Sequence, residues 1–139
     1  MSEAGRADKV GVLIVNLGTP DSPDAPSVRA YLREFLSDPR VIEIPPFVWQ
    51  PILRGVILRT RPRKSAHAYR QVRGPDGSPL PAITARQARA LDGAFGPHVV
   101  VDHAMRYGRP AIGDRIEALK AGGCERILIA PLYPQYCAA

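Results

Sequence analysis

The residues best suited to chemistry in this chain stand directly after apolar runs. Val99–Ala104 leads into Met105-Arg106-Tyr107-Gly108 and Val10–Val15 into Asn16-Leu17-Gly18-Thr19-Pro20. Ile127–Ala130 leads into Pro131-Leu132-Tyr133-Pro134-Gln135-Tyr136. A guanidinium beside a phenol offers a fixed positive charge, several N–H donors and an aromatic ring, a set suited to an anionic or flat ligand. In an open parallel α/β sheet the carboxyl ends of the strands face one crevice, and ligands sit there. Motifs at three strand ends therefore predict one site gathered from distant parts of the chain.

Charge adds a second feature. Arg54, Arg59, Arg61, Arg63, Lys64, Arg70 and Arg73 precede Pro75 with no Asp or Glu among them, in a chain of formal charge +6. Nearly all the basic residues are arginines, which hold carboxylates and phosphates in a two-pronged geometry that lysine cannot reproduce. On charge alone such a stretch fits a solvated helix face, a nucleic-acid surface, an anionic membrane face or an acidic small ligand. A basic flavodoxin-like module binding phosphate or RNA is the alternative these residues leave open. Asn16–Pro20 follows a strand as a phosphate loop would, yet it has one glycine and no Gly-Lys-Ser/Thr. His67 is expected on a solvated helix face, His98 at a strand start, and His103 packed on the strand that ends at Met105. Cys124 and Cys137 give neither a disulfide framework nor a metal-ligand spacing.

The elements that must position these groups are legible from periodicity. The chain is 139 residues long, one domain's worth, with 45% hydrophobic and 23% charged residues, as in an ordinary globular protein. Val10–Val15 is too short to span a bilayer and Met1–Lys9 lacks a signal-peptide layout, so a cytoplasmic location is expected. Strands are predicted over Val10–Val15, Val99–Met105 and Arg126–Leu132. Val28, Tyr31, Leu32, Phe35 and Leu36 form an apolar stripe on a helix over Pro26–Ser37. Arg40–Pro46 reads as extended, because the Pro45-Pro46 pair disfavours helix. Further helices are predicted around Trp49–Ile57 and over Pro62–Val72, Ile83–Ala94 and Pro110–Ala121, with a turn at Gly74–Pro79. The expected fold class is α/β: an open parallel sheet with flanking helices. A helical excursion over about 39–81 is placed to wall the crevice. Three strands make a thin sheet, so the architecture is expected to be incomplete.

Taken in order, these motifs resemble those of bacterial ferrochelatases. The likeness is carried by Asn16–Pro20, Phe35-Leu36-Ser37-Asp38-Pro39-Arg40-Val41, Arg61-Pro62 with Ser65-Ala66 and Tyr69, Gly77-Ser78-Pro79-Leu80, Met105–Gly108 and Pro131–Tyr136. It runs from Val10 to Ala139. The resemblance implies a chelatase-like fold of two similar flavodoxin-like α/β halves, with residues 1–139 forming the N-terminal half. It implies insertion of ferrous iron into protoporphyrin IX, the last step of protohaem synthesis, with porphyrin and iron as substrates and no nucleic-acid partner. Arg61, Tyr69 and Ser78 match positions that contact the porphyrin and its propionates, and Arg106 with Tyr107 a pair facing the macrocycle. The family's histidine and glutamate fall in the second half, so no catalytic or metal-binding residue is expected here, and this chain is expected to be inactive without that half. Peripheral membrane contact is compatible with the basic stretch. Cys137 stands where serine is usual, and no iron–sulfur cluster is expected. Val72-Arg73 replaces Ile-Trp, and Leu17 replaces the tyrosine common in the coproporphyrin-using branch, which favours protoporphyrin.

Overall fold

A computed structural model describes residues 8–134. Its centre is an open, all-parallel sheet of β1 (Lys9–Asn16), β2 (Val99–Met105) and β3 (Cys124–Pro131), in the order β2-β1-β3. The fold class is therefore α/β, as expected. β1 lies between its partners, pairing Val10 with Val99 on one side and Gly11 with Ile127 on the other. That position explains its composition, since a strand covered on both faces and both edges has no polar surface to present.

Each face of the sheet takes one helix. Leu13, Val15 and Ala104 pack with Cys124 and with Leu119 of α5 (Ile112–Ala121). Ile14 and Val101 point the other way, onto Ala88 of α4 (Pro79–Leu91). Gly11 lets α5 approach, because a Cβ there would stand 3.1 Å from Leu119. α4 contacts β1 and β2. Leu128 on β3 is accordingly 60% exposed and Ile129 beside it is exposed too.

The excursion between β1 and α4 holds α1 (Ala25–Ser37), α2 (Pro46–Ile52) and α3 (Leu58–Val72). Asp24 caps α1 by accepting a hydrogen bond from the Ser27 N–H at 2.8 Å. The structure corrects the predicted breaks here. Pro46 opens α2 rather than ending an extended run, since proline at a first helical position loses a hydrogen bond no helix would make there. A π-helical turn over Leu53–Ile57 then joins α2 directly to α3, so the chain is helical from Pro46 to Val72. Pro62 lies inside α3, where it cannot donate to the carbonyl of Leu58 four residues back. Arg29 of α1 fills that gap: its Nε–H donates to the Leu58 carbonyl at 2.9 Å. The helix predicted over Ile83–Ala94 begins instead at Pro79 and ends at Leu91, ahead of Gly93 with its φ of 83°. No helix among the described residues is long and apolar enough to cross a membrane.

Candidate functional site

Parallel pairing brings the three predicted motifs to one edge of the sheet. Backbone hydrogen bonds continue past the strands and join them there. The Arg106 N–H donates to the Asn16 carbonyl at 2.8 Å and the Tyr107 N–H to the Leu17 carbonyl at 2.9 Å. On the far side of β1 the Leu132 N–H donates to the Val15 carbonyl at 2.8 Å. Gly18 makes the first of these junctions possible. Its φ is 118°, and a Cβ there would overlap the Tyr107 carbonyl oxygen. Gln135, Tyr136 and Cys137 lie outside the described residues.

The Arg106–Tyr107 pair is built around Asp38, the residue that ends α1. Asp38 Oδ2 accepts from the Tyr107 hydroxyl at 2.7 Å and from Arg106 Nη2 at 2.8 Å, while Oδ1 accepts from the Arg40 N–H at 2.9 Å. The Tyr107 hydroxyl bond, then the Arg40 N–H, hold the Asp38 carboxyl below its ordinary pKa, with the Arg106 and Arg40 charges adding to them. Phe35 meets the Tyr107 ring edge-on at 5.0 Å and stacks with Tyr31 at 5.9 Å. The Arg106 guanidinium carbon sits 4.7 Å from the Tyr107 ring centroid. The side chains of Arg106 and Tyr107 thus turn toward α1. Tyr107 is 1% exposed, and neither residue of the pair expected to face the macrocycle borders either hollow at the strand ends. The physical reason is that a buried phenol needs an acceptor, and the α1 terminus supplies one.

The next residues do face open space. Thr19, Pro20, Asp21 and Arg109 are shared by two adjoining hollows at the strand ends. The larger, about 530 Å³, is walled by Tyr31, Glu34, Gly108 and Asp114. The smaller, about 280 Å³, is bordered by Arg73, Asp76 and Ser78. Together they form a groove with the Tyr31 ring in the larger hollow, Arg73 in the smaller, and Arg109 common to both, where its exposed guanidinium pairs with Asp21 at 3.9 Å. The Tyr31 hydroxyl donates to the Gly18 carbonyl at 3.2 Å. Burial first, then the neighbouring Tyr69, Glu34 and Tyr107, push its pKa well up. Tyr69 is half-buried, and burial raises its phenol as well. Arg70 ties this end of α3 to the loop after β1 by donating from Nε to the Pro23 carbonyl at 3.0 Å.

Of the residues predicted from sequence, Ser78 borders the groove and Tyr69 stands beside its wall residue Tyr31. Arg61 is exposed on α3 and borders neither hollow. It precedes Val72 by about 17 Å of helix at roughly 1.5 Å per residue, so Arg73 and Arg109, rather than Arg61, accompany Ser78. Sequence reasoning missed Arg109 and the role of Asp38. An Asp-Pro pair after a helix reads as a stop signal, and its place in the motif at Phe35–Val41 was the one available sign of anything more.

The histidines stand as expected. His103 packs half-buried on β2, where burial outweighs Asp102 and lowers its pKa. His67 and His98 are exposed. Among the described residues no group of three or more His, Cys, Asp or Glu could hold a metal ion.

Comparison with known proteins gives this arrangement its context. The family model described as Ferrochelatase matches residues 9–139. A ferrochelatase of Methylibium petroleiphilum is 55% identical over 138 residues, covering 97% of this chain and 38% of the relative. One from Rhizobium meliloti is 58% identical over 135 residues, covering 94% and 40%. One from Neisseria meningitidis is 51% identical over 132 residues, covering 95% and 39%. The chain therefore spans about two fifths of the length of these curated relatives. With the family model matching nearly its whole length and the motifs meeting at one sheet edge, the chain belongs to the ferrochelatase family.

Proposed function

We propose that this chain supplies the porphyrin-contact part of a cytoplasmic ferrochelatase, which inserts ferrous iron into protoporphyrin IX to form protohaem. The observation that carries this reading is the groove at the strand ends. A porphyrin is a flat apolar disc with two carboxylates at one rim, so it calls for an aromatic wall and a cationic end. Tyr31 with Tyr69 beside it offers the wall; Arg73 with the Ser78 hydroxyl offers the end, and Arg109 between the hollows joins it on exchanging its exposed Asp21 partner, 3.9 Å away, for a propionate. In this reading Arg106 and Tyr107 are positioning residues that fix the Gly108-Arg109 corner through Asp38. Arg61 contributes to the positive field of α3 that draws in a dianion.

Metal insertion requires two pyrrole protons to leave, and a base must take them. His103 is half-buried on the α4 face of the sheet, so the base is expected in the remainder of a ferrochelatase, along with the family's histidine and glutamate. Leu128 and Ile129, exposed on the edge strand β3, support a segment of that remainder packing there. Iron enters as substrate, with no resident cofactor and no iron–sulfur cluster. Phe47, 81% exposed, and Val56 on the same helical run support peripheral contact with a membrane surface.

The single tryptophan, Trp49, makes the proposal testable in the chain itself. Titration with protoporphyrin IX should quench Trp49 fluorescence saturably, with affinity lowered about tenfold by Arg109→Ala and less by Ser78→Ala. Quenching that never saturates, or that both variants leave unchanged, would remove the groove as the porphyrin site.

A further inference from the structure

A third hollow, between α1 and the helical run Pro46–Val72, is lined by Arg29, Arg33, Arg54, Leu58 and Arg59. It measures about 320 Å³, and four of its five lining residues are arginines. No carboxylate lines it, and none of these arginines takes part in an ion pair among the described residues. Arg29 and Arg33 are one helical turn apart on α1, where like charges repel. The π-helical turn brings Arg54 to the same hollow. Arg29 is fixed through Nε by the Leu58 carbonyl that Pro62 leaves without a helical donor.

We infer that this hollow binds the phosphate groups of a multiply phosphorylated ligand. Four guanidinium groups with no ion-pair partner among the described residues match a small ligand of high negative charge, and phosphate oxygens accept their forked N–H pairs. Leu58 is the one apolar residue in the lining, which gives a flat tetrapyrrole no wall to lie against. None of the strand-end loops contributes to the hollow, so the inference does not depend on the porphyrin groove. The same phosphate chemistry is offered by a soluble polyphosphate ester and by a cluster of anionic lipid headgroups.

Calorimetric titration of the full 139-residue chain with inorganic tripolyphosphate tests the soluble source. Co-sedimentation with phosphatidylglycerol vesicles, against phosphatidylcholine vesicles, tests the lipid source. The double variant Arg33→Gln/Arg54→Gln should weaken binding at least tenfold, leaving Arg29 in its structural role. Arg63→Gln/Lys64→Gln removes the same charge outside the hollow and should change affinity less than about twofold. Saturable binding of tripolyphosphate with that selectivity supports a soluble ligand; the same selectivity on phosphatidylglycerol alone supports headgroups. Equal losses in the two double variants would mean diffuse attraction and overturn the inference, as would absence of binding to both probes. Circular dichroism of each variant, unchanged from the parent, keeps a folding defect from mimicking a lost site.

Discussion

Replacing Asp38 by alanine should cost far more than a surface carboxylate would. The Asp38 side chain is 8% exposed, and its Oδ2 accepts from the buried Tyr107 hydroxyl at 2.7 Å. A buried donor that loses an acceptor costs about 1–3 kcal/mol. The Arg106 pair adds up to about 1 kcal/mol, discounted because that guanidinium is partly open to water. We therefore expect Asp38→Ala to lower unfolding free energy by about 3 kcal/mol and the melting temperature by roughly 10 °C. Urea unfolding of the parent, Asp38→Ala, Tyr107→Phe and the double variant measures it. Tyr107→Phe alone should cost about 1 kcal/mol, and the double variant about 1–2 kcal/mol less than the summed single losses, since the bond that both single variants break is then counted once. Losses that add to within about 0.5 kcal/mol would show that the two side chains do not act together, and the positioning argument would fail. Acid titration supplies a second check. The folded pKa of Asp38 lies below its ordinary 3.8, so its contribution is complete above that value and is lost as pH falls through the lowered folded value. The stability gap between the parent and Asp38→Asn should be constant near neutral pH and shrink below about pH 4.

Other expectations follow from single contacts. Gly18→Ala should destabilise by about 3 kcal/mol or more, read by thermal melting, because the backbone is left-handed there and the methyl group meets the Tyr107 carbonyl. A variant that melts with the parent would mean that the strand-end loops separate freely. Arg29→Ala should cost about 1–2 kcal/mol in urea, since it orphans the Leu58 carbonyl beside Pro62, whereas Arg33→Ala should be nearly neutral. Equal effects would assign Arg29 no special role in tolerating the proline.

Local chemistry by itself determined most of the scaffold. β2 runs from Val99 to Met105 as its apolar pattern predicts, and α1 ends at Ser37 with its stripe buried at Val28 and Tyr31. These elements are written in side-chain periodicity, which reports the neighbours a residue needs without saying which neighbours it gets. Pro46 and Pro79 each open a helix at its first position, whereas the course of the chain through Pro62 was decided by a partner. Pro62 is a breaker when read alone and is accommodated in α3 where Arg29, distant in sequence, satisfies the carbonyl it leaves bare. The site divides in the same way. That Asn16–Pro20, Met105–Gly108 and Pro131–Pro134 would converge followed from their place after parallel strands. Which side chains face the groove did not follow. Tyr107 turns inward because Asp38 offers its hydroxyl a buried acceptor, and Arg61 stands apart from Ser78 because α3 runs unbroken between them. Such outcomes depend on the distance and burial of groups far apart in the chain, and only the folded arrangement sets those.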